Sequence, residues 1–269
     1  MTQDDLTHRF GEAREFSALP PLAEAMTHRG SVRRFLETPV DSQLIETLAA
    51  VALCSPTKSD LQQRDIIILR DPAQRSAIHP LLGQDWVADA PELLVFCGNN
   101  RRQRKLHERT DRPFANDHLD AFFNAAVDAA IALSAFVLAA EAAGLGCCPV
   151  SAIRNEAAAV SEILSLPDHV FPIAGLAVGW PAAKAPISMR LPLSQTVHID
   201  RFDDDGLDNA LAAYDERREA AQPYGAQRFA DEYGHADSYP WSEDKARQYS
   251  KPERAGFGAF IRAKGFRLE

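Results

Sequence analysis

The segment HRGSVRRF, residues 28–35, concentrates positive charge around a Gly-Ser pair. Arginine side chains bind phosphate oxygens through two parallel hydrogen bonds. Ser31 offers a hydroxyl and a backbone N–H, and Gly30 permits close backbone approach. The segment therefore suits an anion such as a phosphate. A solvated surface turn is the alternative explanation of such a cluster, and the rest of the chain has to decide between the two.

Four other loops carry arginine, serine, threonine, glutamine and glycine, the residue types that suit a phosphate together with a flat heteroaromatic ring. They are SPTKSDLQ (55–62), GQDW (83–86), CCPVSAIRN (147–155) and SMRLP (188–192). The stretch GLGCCP at 144–149 begins as a dinucleotide-binding loop would, but it follows a helix and lacks the third glycine. The histidines do not show metal-ligand spacing, so we expect no metal site and interpret the acidic run 203–205 as a solvated turn.

The elements that must position these loops are predicted from hydrophobic periodicity. Buried strands are predicted at 65–71, 92–97 and 170–180, and helices at 39–55, 72–82, 118–143 and 155–166. The helix at 118–143 is apolar on most of its circumference, so either a large domain or a second copy of the chain has to cover it. Helices and strands mix without a clean βαβ alternation, which predicts an α+β fold. The polar region after about residue 200 is predicted to dock one last helix on the body.

Composition excludes some classes of function. The chain has 269 residues, a net charge of −9 and an apolar fraction of 46%, which is typical of a soluble protein and not of a nucleic-acid-binding one. We expect that no apolar stretch reaches transmembrane length, and therefore that no segment spans a membrane. We also expect no signal peptide, since the N-terminal residues are charged throughout. The four cysteines are expected to be free thiols, which together with the charge predicts a cytoplasmic location.

Taken in chain order, the five loops resemble those of the nitroreductase family of FMN-dependent oxidoreductases, in particular its oxygen-insensitive nitroreductase and NADPH–flavin oxidoreductase group. The resemblance runs from about residue 24 to 200 and resumes weakly at 241–266. It implies a set of cofactor-binding residues. They are Arg29, Gly30, Ser31 and Arg33 at the FMN phosphate, Thr57 and Ser59 beside the ring and ribityl chain, Gln84 and Trp86 near the flavin, Pro149, Val150, Ser151 and Ala152 near N5, and Arg190 at the phosphate.

The resemblance also implies a fold, an assembly and a reaction. The fold would have a central mixed sheet flanked by helices, with the long apolar helix at a homodimer interface that holds the flavin. Residues 1–200 would form the FMN-binding domain, and residues 201–269 an extension that packs on it and on the partner subunit. NADH or NADPH would reduce the flavin, and a nitroaromatic, quinone or free flavin would reoxidise it in a ping-pong sequence. No side chain is nominated as a catalytic acid or base.

Several positions depart from the family pattern, and they keep alternatives open. Gly30 and Ser188 stand where arginine and lysine are frequent, and Ser151-Ala152 replaces a Gly-Gly pair. The stretch GHADSYPW, 234–241, lacks the arginines that bind the NADPH 2′-phosphate in this group, so the choice between NADH and NADPH is open. The alternative functions are a flavin-binding sensor or storage module with little turnover, and a family branch with different chemistry such as reductive dehalogenation.

Overall fold

The computed structural model describes residues 2–269 and has both helices and strands there, which confirms the predicted α+β class. The strands are β1 (Arg64–Ile68), β2 (Glu92–Asn99), β3 (Gly146–Val150) and β4 (Val170–Gly179). The helices are α1 (Thr2–Phe10), α2 (Pro21–His28), α3 (Ser42–Leu53), α4 (Pro72–Leu82), α5 (Arg101–Thr110), α6 (Leu119–Ala142), α7 (Ala157–Ile163), α8 (Leu207–Ala221), α9 (Ala230–Tyr233), α10 (Trp241–Tyr249) and α11 (Phe257–Ala263).

Internal contacts divide the chain into two compact units. The sheet unit comprises Ser31–Ala185 and Arg254–Glu269, and it contains the four strands with α3–α7 and α11. The helical unit comprises the described residues up to Gly30 and Pro186–Glu253, and it contains α1, α2 and α8–α10.

The sheet unit is built on a four-stranded sheet in the order β1-β2-β4-β3. Each of its three described pairings is antiparallel, so the expectation of a mixed sheet was wrong in this respect. The expectation came from the resemblance to the family and not from a feature of the strands themselves. A long connection permits either direction, and here the helices return the chain so that each strand opposes its neighbour.

Strand β2 is buried on both of its faces, which explains why its sequence is apolar throughout. Leu94 and Phe96 belong to a core that also contains residues of α3 and α6, whereas Leu93, Val95 and Cys97 belong to a second core with α4 and α7. A strand buried on both faces has no polar alternation. The sheet is therefore covered by helices on both sides.

Helix α6 is the central helix of the sheet unit. The ring nitrogen Nδ1 of His118 accepts a hydrogen bond from Asp120 N at its start, and Phe136 packs edge-to-face on Phe96 with ring centroids 5.8 Å apart. By length and hydropathy α6 is apolar enough to cross a membrane, so the expectation that no segment reaches that length was wrong. Asp128 is nevertheless fully buried on this helix and bound to a neighbouring loop, which is the arrangement of a core helix.

The remaining predicted elements agree with the structure within a few residues. Helix α3 lies inside the predicted 39–55 and is capped by Asp41, whose side chain accepts from Gln43 N at 3.0 Å. Helix α7 lies inside the predicted 155–166. The predicted last helix is α11, whose Ile261 packs with Phe171 and Ala121 in a third cluster of the sheet unit.

Candidate functional site

The turn after Gly30 lies against the edge strand β3 of the sheet unit. Val32 N donates to Cys147 O at 3.0 Å, so Ser31–Arg33 runs beside the strand that leads into Pro149–Ala152. Gly146 makes this approach possible, because a Cβ there would lie 2.7 Å from Val32 Cγ2. The structure therefore places Ser31–Arg33, which were predicted to bind the phosphate, beside Pro149–Ala152, which were predicted to cross the flavin ring.

Arg33 is also close to the loop that contains Gln84 and Trp86. The Arg33 guanidinium lies 5.9 Å from the centre of the Trp86 ring, within the range of a cation–π contact. Gln84 immediately precedes the short 3₁₀ turn Asp85–Val87 and accepts the Val87 N–H through its carbonyl. Three of the predicted segments are thus neighbours in the sheet unit.

The segment Pro149–Ala152 presents its side chains alternately. Val150 and Ala152 are buried in the core with α4 and α7, while Pro149 and Ser151 are exposed. Only the latter two side chains are therefore available to a ligand. Val150 and Ala152 can contribute main-chain groups only.

The loop that carries Thr57 and Ser59 is held by Asp128 of α6. The Thr57 hydroxyl donates to Asp128 Oδ2, and Lys58 N and Gln63 N donate to the same carboxylate at 3.0 and 2.9 Å. Thr57 Oγ1 also accepts from Gln62 N at 2.9 Å. The Thr57 hydroxyl is therefore used within the loop, and the exposed Ser59 is the side chain that the loop offers outward.

Backbone strain in this loop accompanies the Asp128 contacts. Ser59, Asp60 and Gln62 have positive φ of 48°, 55° and 52°. Left-handed conformations of non-glycine residues persist only where surrounding structure holds them, and they cluster at functional sites. The buried carboxylate supplies that hold.

The helical unit contains the other part of the predicted site. A cavity of about 630 Å³ is lined by Arg9, Arg29 and Arg190 together with aromatic side chains that include Tyr214 and Trp241. Burial lowers the pKa of Arg9, and repulsion from Arg190 and Arg29 lowers it further, while Asp5 acts in the opposite direction. Arg29 and Arg190 are therefore close enough to Arg9 to repel its guanidinium.

Comparison with known proteins decides the family. The sequence profile of the nitroreductase family matches residues 26–180, and that of its C-terminal domain matches residues 188–269. The chain belongs to the nitroreductase family. This confirms the prediction made from the five loops.

Nitroreductase relatives match most of the chain. It is 29% identical to the "FMN reductase [NAD(P)H]" of Bacillus subtilis (strain 168), over 91% of this chain and 98% of the relative. It is 35% identical to the "Oxygen-insensitive NADPH nitroreductase" of Salmonella typhimurium, over 74% of this chain and 81% of the relative. The solved structure of NfrA2 from B. megaterium superposes with a TM-score of 0.84 at 28% identity, covering 93% of this chain and all of that one. The nitroreductase fold is thereby confirmed.

The residues of this nitroreductase fit the phosphate of an FMN. An anion in this cavity would offset the repulsion of Arg9 by Arg190 and Arg29, and a phosphate dianion has oxygens suited to guanidinium donors. Arg29 is half-buried and Gly30 is buried, whereas Arg190 is exposed.

Sequence reasoning missed two residues of this nitroreductase site, Asp128 and Arg9. Asp128 had a signal, because a carboxylate inside an otherwise apolar helix must find buried partners. Arg9 had none, since it lies before the region that resembles the family and its guanidinium donates to main-chain carbonyls.

Proposed function

We propose that this protein is an FMN-dependent NAD(P)H oxidoreductase that reduces small-molecule electron acceptors, namely nitroaromatics, quinones or flavins. The observation that carries the proposal is the cavity of the helical unit, where Arg9, Arg29 and Arg190 line one space and an anion would offset the repulsion that Arg29 and Arg190 exert on Arg9. Family membership supports it, as do two relatives named FMN reductase and NADPH nitroreductase. NADH and NADPH are both proposed as donors.

The chain's first task is to hold the phosphate end of the cofactor. Arg29 and Arg190, which line the cavity of the helical unit, are proposed to bind phosphate oxygens. Ser31 and Arg33 stay predicted phosphate ligands, on the resemblance of their loop to that of the family. Charge-assisted hydrogen bonds of this kind are about twice as strong as neutral ones. Gly30 is buried and lets the main chain approach the anion.

The second task is to orient the ring and to leave one face open for reactants. Pro149 and Ser151 point outward from β3 and its following turn, and Gln84, Trp86 and Ser59 supply further contacts. FMN, when bound, supplies the redox chemistry, accepting hydride from NAD(P)H and passing electrons to an acceptor in a ping-pong sequence. The protein contributes position, and the proposal assigns no side chain as general acid or base.

The assembly proposed for this reaction is a homodimer. Leu119, Phe123 and Val127 are 49%, 58% and 36% exposed and recur every four residues on α6. Such an apolar stripe favours a protein partner, and exposed Ala130 and Ser134 continue it with small side chains that permit close approach. A second copy of the chain is the proposed occupant. The proposed location is the cytoplasm.

The proposed domain boundary, between residues 200 and 201, stays a prediction. The polar region after it is proposed to pack on the FMN-binding domain and on the partner subunit.

Anaerobic stopped-flow spectroscopy tests the proposed function. Purified protein loaded with FMN should be yellow, and NADH or NADPH should bleach it. A panel of nitroaromatic, quinone and flavin acceptors should then restore the colour. Protein that takes up no FMN would refute the proposal. Tight FMN binding with negligible bleaching by either nucleotide would favour a sensor or storage module instead.

A further inference from the structure

Arg9 is a buried cation at the end of α1, ahead of the residues that match the family profile. Its exposed fraction is only 7%. A guanidinium taken out of water is unfavourable unless hydrogen bonds satisfy its donors. The hydrogen bonds of Arg9 therefore identify the parts of the chain that it stabilises.

Three main-chain carbonyls accept hydrogen bonds from Arg9, and they come from two separate segments of the helical unit. Nη1 donates to Ser188 O at 3.0 Å, and Nη2 donates to Thr27 O at 3.1 Å and to Arg29 O at 2.8 Å. In return, Arg9 O accepts from Arg190 N at 2.7 Å. Arg9 thus joins the segment that carries Arg29 to the segment that carries Arg190.

Arg217 of α8 fixes the position of Arg9 from outside. Its Nη1 donates to His8 O at 2.9 Å, and its Nη2 donates to Arg190 O at 2.8 Å. The chain leaves α1 at Gly11 with φ of 70°, and a Cβ there would lie 2.5 Å from Arg217 Cζ. The positive φ favours glycine here, and any larger residue would also displace the Arg217 guanidinium.

Electrostatics argues against a purely structural clamp. The Arg9 guanidinium is repelled by Arg190 and Arg29, and Asp5 offsets only part of this. Asp5 is itself paired with His28 Nδ1 at 2.5 Å. A neutral donor could tie the same carbonyls together without the repulsion. A buried Arg9 beside the half-buried Arg29 and the exposed Arg190 becomes favourable once an anion enters the cavity that the three line.

We propose that Arg9 is a positioning residue for the phosphate of the cofactor. It holds the main chains of Thr27–Arg29 and Ser188–Arg190 so that Arg29 and Arg190 line one cavity, and it adds its own charge to the potential there. Three of its five N–H donors are bound by carbonyls, and the proposal assigns it no direct contact with the phosphate. This inference rests on the proposed FMN-dependent function.

Comparison of FMN with riboflavin isolates the phosphate, since the two molecules differ only there. Binding to apoprotein is measured by quenching of flavin fluorescence for the wild type, Arg9→Gln and Arg9→Lys. We expect Arg9→Gln to weaken FMN binding roughly tenfold, equivalent to 1.4 kcal/mol, and to change riboflavin binding less than about twofold. Arg9→Lys keeps the charge, but its single nitrogen cannot occupy both positions from which Arg9 Nη1 and Nη2 donate, so its loss for FMN should be intermediate.

The control variant is Arg14→Gln, which removes the same charge from the same terminal segment. Arg14 is exposed and lies 3.8 Å from Glu12, and its replacement should leave both affinities unchanged. Equal losses of FMN and riboflavin in the Arg9 variants, or no loss of FMN, would overturn the inference. If Arg9→Gln does not fold, the same criteria apply to Arg9→Lys. A wild-type protein that binds neither flavin would instead refute the proposed function itself.

Discussion

Replacing Asp128 with asparagine keeps the size of a buried side chain but turns one acceptor oxygen into an NH₂ donor. In the protein Oδ2 accepts from Thr57 and Gln63, and Oδ1 accepts from Lys58 N. An amide accepts only through its single oxygen. The variant therefore leaves at least one donor of the loop facing another donor, whichever way the amide is oriented.

The size of the effect follows from these contacts. Loss of one hydrogen bond to a charged group removes about 1.5–3 kcal/mol, and the opposed donor adds a desolvation penalty of about 1–3 kcal/mol. Arg64 Nη1 lies 4.0 Å from the carboxylate, and the two side chains are 4% and 1% exposed, so loss of the counter-charge is not screened by solvent. We expect the Asp128→Asn variant to lose about 3 kcal/mol of unfolding free energy.

Urea denaturation of the apoprotein measures this loss. The matched control is Asp120→Asn on the first turn of the same helix, where the aspartate is exposed and we expect a loss below about 1 kcal/mol. Limited proteolysis should also cut the 57–63 loop faster in the Asp128 variant, because the strained residues lose their hold. An Asp128→Asn protein within about 1 kcal/mol of the wild type would refute the reasoning.

Three further outcomes are expected. Burial, and then the Arg104 charge, hold the pKa of His169 below its ordinary 6.5, so the folded protein binds fewer protons there than the unfolded chain. Its contribution to stability is full above the unfolded pKa and is lost as pH falls through the lower folded value. A His169→Asn variant should therefore lose less stability than wild type between about pH 7 and 5 in urea titrations, and an unchanged pH profile would contradict this. Burial raises the pKa of Cys97 to about 12, so iodoacetamide near about pH 8.5 should leave it unlabelled in the folded protein and label it in urea, as peptide mass mapping would show. Light scattering should give twice the chain mass for the wild type and for the control Tyr249→Glu, but the single mass for Phe123→Glu; an unchanged mass for Phe123→Glu would remove α6 from the interface.

Local signals explain which elements the sequence could predict. Helix α4 was predicted at 72–82 and is observed at Pro72–Leu82, because Asp71, Pro72 and Gly83 mark its ends within the sequence itself. Strand direction has no such local mark, so nothing in the sequence could correct the mixed sheet that the resemblance implied, and the described pairings are antiparallel.

The candidate site was predictable as a set of loops but not in its internal contacts. Thr57 was expected to face the cofactor, yet its hydroxyl binds Asp128, 71 residues away in the chain. Arg9 reaches Ser188 across 179 residues through a main-chain oxygen, a kind of acceptor that every position offers. Contacts of that kind leave no pattern in residue types.

The alternation along Pro149–Ala152 divides these four positions into two that tolerate substitution and two that do not. Positions 149 and 151 can change in size or polarity without disturbing the interior, whereas positions 150 and 152 are filled by the packing of the unit. Substitutions at positions 149 and 151 can therefore change the preference for electron acceptors without destabilising the fold. A library restricted to those two codons is a compact starting point for redirecting this scaffold.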